Sequence, residues 1–304
     1  MSVVSALRRL LPGSKARDLR IERYASYQDW RDGEARRQSA DQRRRAYEVS
    51  LLDRGETFDV EGECYICRGP RSLAVDYLYA YPVDGRQTPN WRERLVCPTC
   101  GLNNRMRAAL HLLKTLVPSA DRDASVYLTE QTTPLYEAFA RRFPSTVGSE
   151  FLGDAFGPGE LGPRGLRHED LTRLSFGDQS FDLVVSFDVL EHVPAYLTAF
   201  DEILRVLRPG GTLYFTVPFR VDRGDNLVRA RLAADGSLEH LLEPEYHGDP
   251  LVEEGCLAFY HYGWQLLDDL RSLGFVDVAL TVYWSQWFGY LGRDQLVLTA
   301  AKPE

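Results

Sequence analysis

Four cysteines in two close pairs are the strongest chemical signal in this chain. Cys64 and Cys67 are separated by two residues, as are Cys97 and Cys100, and 29 residues lie between the pairs. Two residues between thiols let one turn present both sulfurs to a single ion, and two such turns complete a tetrahedral S₄ set, the ligands that zinc prefers. The central gap exceeds the usual ~15–20 residues of a zinc ribbon, which an inserted hairpin would accommodate. Such a site has no open coordination position, so the zinc would be structural. Cys256 stands apart and reads as an inert buried thiol.

Histidines form the second group. Three of the six, His240, His247 and His261, fall within 220–262. PEYHGDP places Glu245, His247 and Asp249 between prolines, FYHYGW sets His261 among aromatics, and His192 stands in LEHV. An imidazole that titrates near neutrality suits the removal of a proton from a nucleophile, so His247, His261 and His192 are the candidate catalytic residues. A metal site from His247, Asp249 and His261 is conceivable, though the spacing does not require one.

These residues need elements to position them. Residues 14–54 read as a charged helical arm anchored by Tyr24, Tyr27, Trp30, Tyr47 and Leu51, and residues 101–117 as a helix that Pro118 ends. Beyond it, strand patterns (125–130, 145–150, 165–170, 181–187, 211–219, 276–284 and 294–302) alternate with helical ones (133–143, 194–207 and 263–274). That alternation predicts βαβ units and a mostly parallel sheet, which binds ligands beyond the carboxyl ends of its strands. The last two strands could form an antiparallel edge hairpin. The division expected is 1–54, a basic arm; 55–117, a zinc-ribbon-like module with its following helix; and 118–304, an α/β domain in which 220–262 is an insertion on the substrate side.

Composition bounds the function. The 304 residues are 44% hydrophobic and carry a formal charge of −8, enough apolar material for a packed core and too little net charge for disorder. The first 50 residues hold twelve Lys and Arg against seven Asp and Glu; the remaining 254 hold 24 against 37. The basic arm could grip phosphates or pair with its own acids. No apolar run is long enough to span a bilayer and the amino terminus lacks the order of a secretion signal, so a cytoplasmic protein without a membrane partner is expected.

The series Asp170-Leu171, Ser180-Phe181-Asp182, Asp188-Val189-Leu190-Glu191-His192 and Leu207-Arg208-Pro209-Gly210-Gly211 resembles the class I S-adenosylmethionine-dependent methyltransferases, in their small-molecule type 11 branch, over about the last 190 residues. The resemblance implies a Rossmann-like methyltransferase domain preceded by the arm and the zinc module. It also implies cofactor contacts: Glu150 on the ribose hydroxyls, Asp170 on the adenine amino group, the Leu171 amide on the adenine ring, and Phe187 and Asp188 beside the methionine end. Glu130 stands where an acid would meet the cofactor's ammonium group. One departure is evident: the glycine-rich turn after the first strand is replaced by Gln131-Thr132-Thr133-Pro134, and no glycine follows until Gly148.

The resemblance thus implies methyl transfer to a small molecule, sugar or natural-product intermediate, with Phe219, Tyr260, Tyr262 and Trp264 as candidate walls of a dry pocket. The acidic body, and the lack of an Asn-Pro-Pro-Tyr base-methylating motif, argue against a nucleic-acid substrate. The alternative is a non-catalytic binding protein that uses the zinc module and basic arm on a degenerate methyltransferase fold.

Overall fold

The computed structural model describes residues 18–52, 55–293 and 295–304; the first part of the expected arm, residues 1–17, lies outside them. By packing, the described chain divides into two compact units, one of 18–24, 28–116 and 280–297, the other of 25–27, 117–279 and 298–304. The segment 280–297 therefore belongs with the cysteine-bearing unit rather than with the residues that precede it in sequence.

In the first unit the expected continuous arm helix begins instead with a strand. Arg20–Tyr24 pairs antiparallel with 280–284, because RIERY alternates and turns Tyr24 inward. Helices Tyr27–Asp32 and Glu34–Ser50 follow. Arg37, Arg44 and Arg45 of the second helix have partners within the unit. Arg37 is buried with its guanidinium 3.5 Å over the Trp30 ring, Arg44 meets Asp41 and Glu22, and Arg45 pairs with Asp84.

The hairpin Thr57–Cys64/Gly69–Asp76 turns Phe58, Val60, Leu73 and Val75 into a core with Trp91, Leu95, Trp284 and Leu291. The long gap between cysteine pairs also holds a small hairpin, Tyr81–Val83/Arg86–Thr88. Its Asp84-Gly85 turn has φ +48° and +74°, the left-handed pair that a two-residue β-turn demands.

The helix Asn104–Leu116 buries two polar side chains that its apolar stripe did not announce. Asn104 donates to the carbonyls of Trp91 (2.9 Å) and Leu291 (2.7 Å). Arg107, fully buried, donates to those of Phe288 (2.7 Å), Leu95 (3.2 Å) and Gly289 (3.2 Å). These bonds hold the 280–297 segment in the unit.

The second unit is built on parallel strands. Val126–Leu128 sits between Thr146–Gly148 and Phe181–Phe187, parallel to both, and Phe181–Phe187 pairs parallel with Leu207–Thr216. Residues 298–301 close on 212–215 antiparallel, and the last two strands are neighbours, as expected of them. FDLVVSF is almost wholly buried, as expected of a strand covered on both faces. Helices Pro134–Arg142, Tyr196–Val206 and Gln265–Ser272 bury Phe139, Phe200, Ile203, Leu266 and Leu270.

The strand expected at 165–170 reduces to isolated bridges, parallel between Glu150 and His168 and antiparallel between Leu161 and Arg167 and between Asp170 and Arg173, because a Gly- and Pro-rich approach leads into it and the Asp170 turn cuts it short. The architecture is α/β: the strand pairings around Val126–Leu128 and Phe181–Phe187 are parallel, and those of 298–301 with 212–215 and of Arg20–Tyr24 with 280–284 are antiparallel. No helix among the described residues is long and apolar enough to cross a membrane.

Replacing Arg107 with Met strands three buried carbonyls. Unfolding of the first unit, followed by denaturant titration, should cost about 3 kcal/mol less than in the unaltered chain.

Candidate active site

Parallel pairing delivers the four acids singled out in the sequence to one edge of the sheet. Glu130 lies just beyond Val126–Leu128, Glu150 beyond Thr146–Gly148, Asp170 after the His168 bridge, and Asp188 directly after Phe181–Phe187. Phe187 is buried with its ring edge-to-face on Tyr214, at 5.7 Å. Asp188 adopts φ +54°, a conformation that aspartate tolerates better than most residues. It is held by its N–H on the Thr216 carbonyl (2.9 Å) and by a bond from the Thr216 hydroxyl to Oδ1 (3.1 Å).

The glycine-free turn is organised around Glu150. Its Oε1 accepts from the amides of Gln131 (2.7 Å) and Thr132 (2.9 Å) and from the Thr132 hydroxyl (2.8 Å). Gln131 Oε1 in turn accepts from the Arg167 amide, and Thr133 caps the next helix by accepting from the Tyr136 amide at 3.2 Å, with Pro134 at the first helical position. The missing glycine is in effect relocated: a Cβ on Gly148 would lie 2.5 Å from the Tyr136 ring and 2.7 Å from the Glu130 carbonyl oxygen. Asp170 closes its own turn, Oδ1 accepting from the amide (2.8 Å) and hydroxyl (2.7 Å) of Thr172; Leu171 beside it is buried.

Three short antiparallel ladders shape 220–262, and two of them bring the candidate histidines together. Tyr246–His247 pairs with Cys256–Leu257, and Leu227–Val228 with Tyr260–His261; the third, Ala230–Leu232/Leu238–His240, leaves His240 exposed. His247 Nε2 and His261 Nε2 lie 3.1 and 2.9 Å from Glu245 Oε1, and the His192 and His247 rings meet edge-to-face at 4.9 Å. Glu191, fully buried, sets Oε1 at 3.3 Å from His247 Nδ1 and 3.7 Å from His192 Nε2.

The Glu191 carboxylate, with Glu245 on the other side, outweighs burial and holds His247 up at about 9. Without an ion beside it His247 is a cation at neutral pH, a donor rather than a base. Burial alone would raise Glu245, but bonds from His247 and His261 keep its carboxyl below the ordinary value. Cys256 is pushed up to about 12 by burial and by Asp249, which accepts from its thiol at 3.0 Å.

The sequence singled out the histidines but assigned no role to the two carboxylates between them. The available signal was Glu191 itself, an acid next to a histidine in an otherwise apolar stretch. Of the expected pocket aromatics, Tyr262 and Trp264 are buried and donate to the carbonyls of Leu190 (2.9 Å) and Val221 (2.9 Å). Tyr260 stacks on Tyr262 at 5.6 Å, and Phe219 meets Trp264 edge-to-face at 5.5 Å.

In the first unit, the sulfurs of Cys64 and Cys100, and of Cys67 and Cys97, each lie 3.8 Å apart, and all four fall within 4.8 Å of one another. Four ligands at the zinc–sulfur distance of about 2.3 Å have tetrahedral edges of about 3.8 Å, so the set fits a zinc ion. Gly101, at φ +70°, carries the chain out of the second pair.

Residues 153–215 match the family model described as a methyltransferase domain. The chain is 41% identical over 56 residues to a probable S-adenosylmethionine-dependent methyltransferase of Mycolicibacterium smegmatis, covering 18% of this chain and 22% of that protein. It is 27% identical over 121 residues to the sterol 24-C-methyltransferase ERG6A of Gibberella zeae, covering 38% and 29%. The matches thus span about a quarter of each curated relative. Among solved structures, an S-adenosylmethionine-dependent methyltransferase from Mesorhizobium loti aligns with 64% of this chain and 98% of its own, at 17% identity and TM-score 0.42.

Within the second unit, Glu150→Ala should release the first turn. Hydrogen exchange at the Gln131 and Thr132 amides should quicken at least tenfold, the loss of about 1.5–3 kcal/mol per bond to a charged acceptor.

Proposed function

We propose that this chain transfers the sulfonium methyl group of S-adenosylmethionine to a small-molecule, sugar or natural-product acceptor. The observation that carries the reading is the row of Glu130, Glu150, Asp170 and Asp188 along one carboxyl edge of the parallel sheet, where open α/β sheets bind their ligands. Oε1 of Glu150 is occupied by the turn, so Oε2 takes the ribose hydroxyls. Asp170 spends Oδ1 on Thr172, which leaves Oδ2 for the adenine amino group, with the Leu171 amide on the ring. Glu130 meets the ammonium group, and Phe187 and Asp188 border the methyl end.

The insertion 220–262 supplies the acceptor side. His192, His247 and His261, with Glu191 and Glu245, form the polar cluster at which the acceptor is oriented and its nucleophilic group loses a proton; positioning supplies much of the rate. The net acidity of the chain beyond residue 50 favours a small acceptor over a nucleic acid. We assign the work to the cytoplasm, in keeping with four reduced cysteines grouped for metal. Zinc held by Cys64, Cys67, Cys97 and Cys100 is structural, closing the hairpin end of the first unit.

Calorimetry with S-adenosylhomocysteine should give one site per chain, abolished in the Glu150→Ala/Asp170→Ala double variant. An unaltered chain that does not bind, or a double variant that binds equally well, would overturn the assignment.

For the cysteine cluster, the purified protein should contain zinc bound by thiolate, and Cys67→Ser should lose it. Chelation should lower the melting temperature of the first unit markedly, since structural zinc contributes folding free energy directly. A chain that melts identically with and without chelator would sink the zinc assignment.

A further inference from the structure

Glu191 lies in the interior with no side-chain exposure, and neither of its carboxylate oxygens makes a hydrogen bond. A buried carboxylate left in that state is costly, so its surroundings must supply a positive partner. Two imidazoles face it, and the bonds on their far sides decide what they present. His192 Nδ1 lies 2.8 Å from the Leu257 carbonyl oxygen; a carbonyl only accepts, so the proton is on Nδ1 and Nε2 turns a lone pair toward Glu191. His247 Nε2 lies 3.1 Å from Glu245 Oε1, so one ring proton is committed there, and Nδ1 faces Glu191 Oε1 at 3.3 Å, with a second proton or, when that is lost, a lone pair. Three atoms able to ligate a cation, Glu191 Oε1, His192 Nε2 and His247 Nδ1, therefore converge within 4.8 Å of one another. A single proton on His247 can serve one pair of them, at 3.3 Å and without hydrogen-bond alignment. It does nothing for His192 Nε2, 3.7 Å from the same oxygen.

We infer that Glu191, His192 and His247 bind a divalent transition-metal ion, which takes all three atoms as ligands at once, His247 Nδ1 releasing its proton to solvent as the ion binds. Ligand distances of about 2.0–2.2 Å set tetrahedral neighbours about 3.3 Å apart; the Glu191–His247 pair already has this separation, the Glu191–His192 pair stands at 3.7 Å, and all three atoms fall within 4.8 Å. Two imidazoles and one carboxylate are the donors of zinc, iron(II) or manganese(II) sites that keep coordination positions open.

The far-side bonds to Leu257 and Glu245 are the outer contacts that fix ring orientation and tautomer in such sites. The neighbouring trio of Glu245, His247 and His261 is not a second site: Arg229 lies 3.2 Å from Glu245 Oε2, a cation where another cation would have to sit. His192 and His247 join the sheet edge and the 220–262 insertion through this ion. Its open positions would take an oxygen of the acceptor, which narrows the acceptor class to molecules carrying a hydroxyl or carboxylate. That last step rests on the methyl-transfer reading; the metal site does not.

Manganese(II) is the probe, because it competes poorly for four thiolates. Loss of the free-ion electron paramagnetic resonance signal on titrating protein that carries a single equivalent of zinc, that of the four thiolates, should report one manganese per chain. Glu191→Gln and His247→Ala should each abolish that binding, and Glu245→Gln should weaken it about tenfold or more. His192→Asn, whose side-chain amide can still donate to Leu257, serves as the test if Glu191→Gln does not fold. S-adenosylhomocysteine binding, measured on the same Glu191→Gln protein, should survive, so failure of the metal site and failure of the cofactor site are told apart. Absence of manganese binding to the unaltered chain, or equal binding by the folded Glu191→Gln and His192→Asn variants, would overturn the inference.

Discussion

Parallel pairing on both sides of Val126–Leu128 is the constraint on which the second unit depends. A parallel ladder cannot be closed by a tight turn; each strand must be followed by a crossover that returns to the same end. Every strand in the group therefore releases its chain at one edge, and Glu130, Glu150 and Asp188 are brought side by side from positions up to 58 residues apart. The three-residue strands Val126–Leu128 and Thr146–Gly148 are short, so the carboxylate of one reaches the turn of the other. Glu150 Oε1 with its three donors is the result.

That carboxylate resolves the main irregularity of the chain. A glycine turn leaves bare amides for a ligand, whereas Gln131-Thr132-Thr133 directs two amides and a hydroxyl at Glu150. The turn is rigid because an ionised acceptor holds it, and the close backbone approach that glycine permits is found one strand away, at Gly148 against the Tyr136 ring. The helix that follows keeps its ordinary start, a threonine cap and a proline, so the substitution changes the floor of the site without moving its frame.

Buried polar groups carry the corresponding task elsewhere. Arg107 and Asn104 spend their donors on backbone carbonyls of the first unit, where an apolar side chain would leave those carbonyls unpaired. Glu191 presents the opposite case, a buried acceptor with no aligned hydrogen-bond donor on either oxygen. Both arrangements are expensive unless completed. The first is completed within the chain, and the second calls for a cation.

The paired cysteines, the alternation of strands and helices, and the ordered motifs from Asp170 to Gly211 were legible because each is a local pattern. Spacing sets how many sulfurs one turn can offer, period sets which residues share a face, and Pro-Gly-Gly sets where a helix stops. The strand Arg20–Tyr24 within a charged arm and the reduction of 165–170 to isolated bridges were not legible, since each is decided by which distant strand is available to pair. The same holds for the site. The sequence by itself determined that acids follow the strands and that histidines crowd the insertion. Only the tertiary structure decided that Glu191 and Glu245 stand between those histidines, because tautomer, burial and convergence of ligating atoms are properties of side chains from separate elements meeting in space.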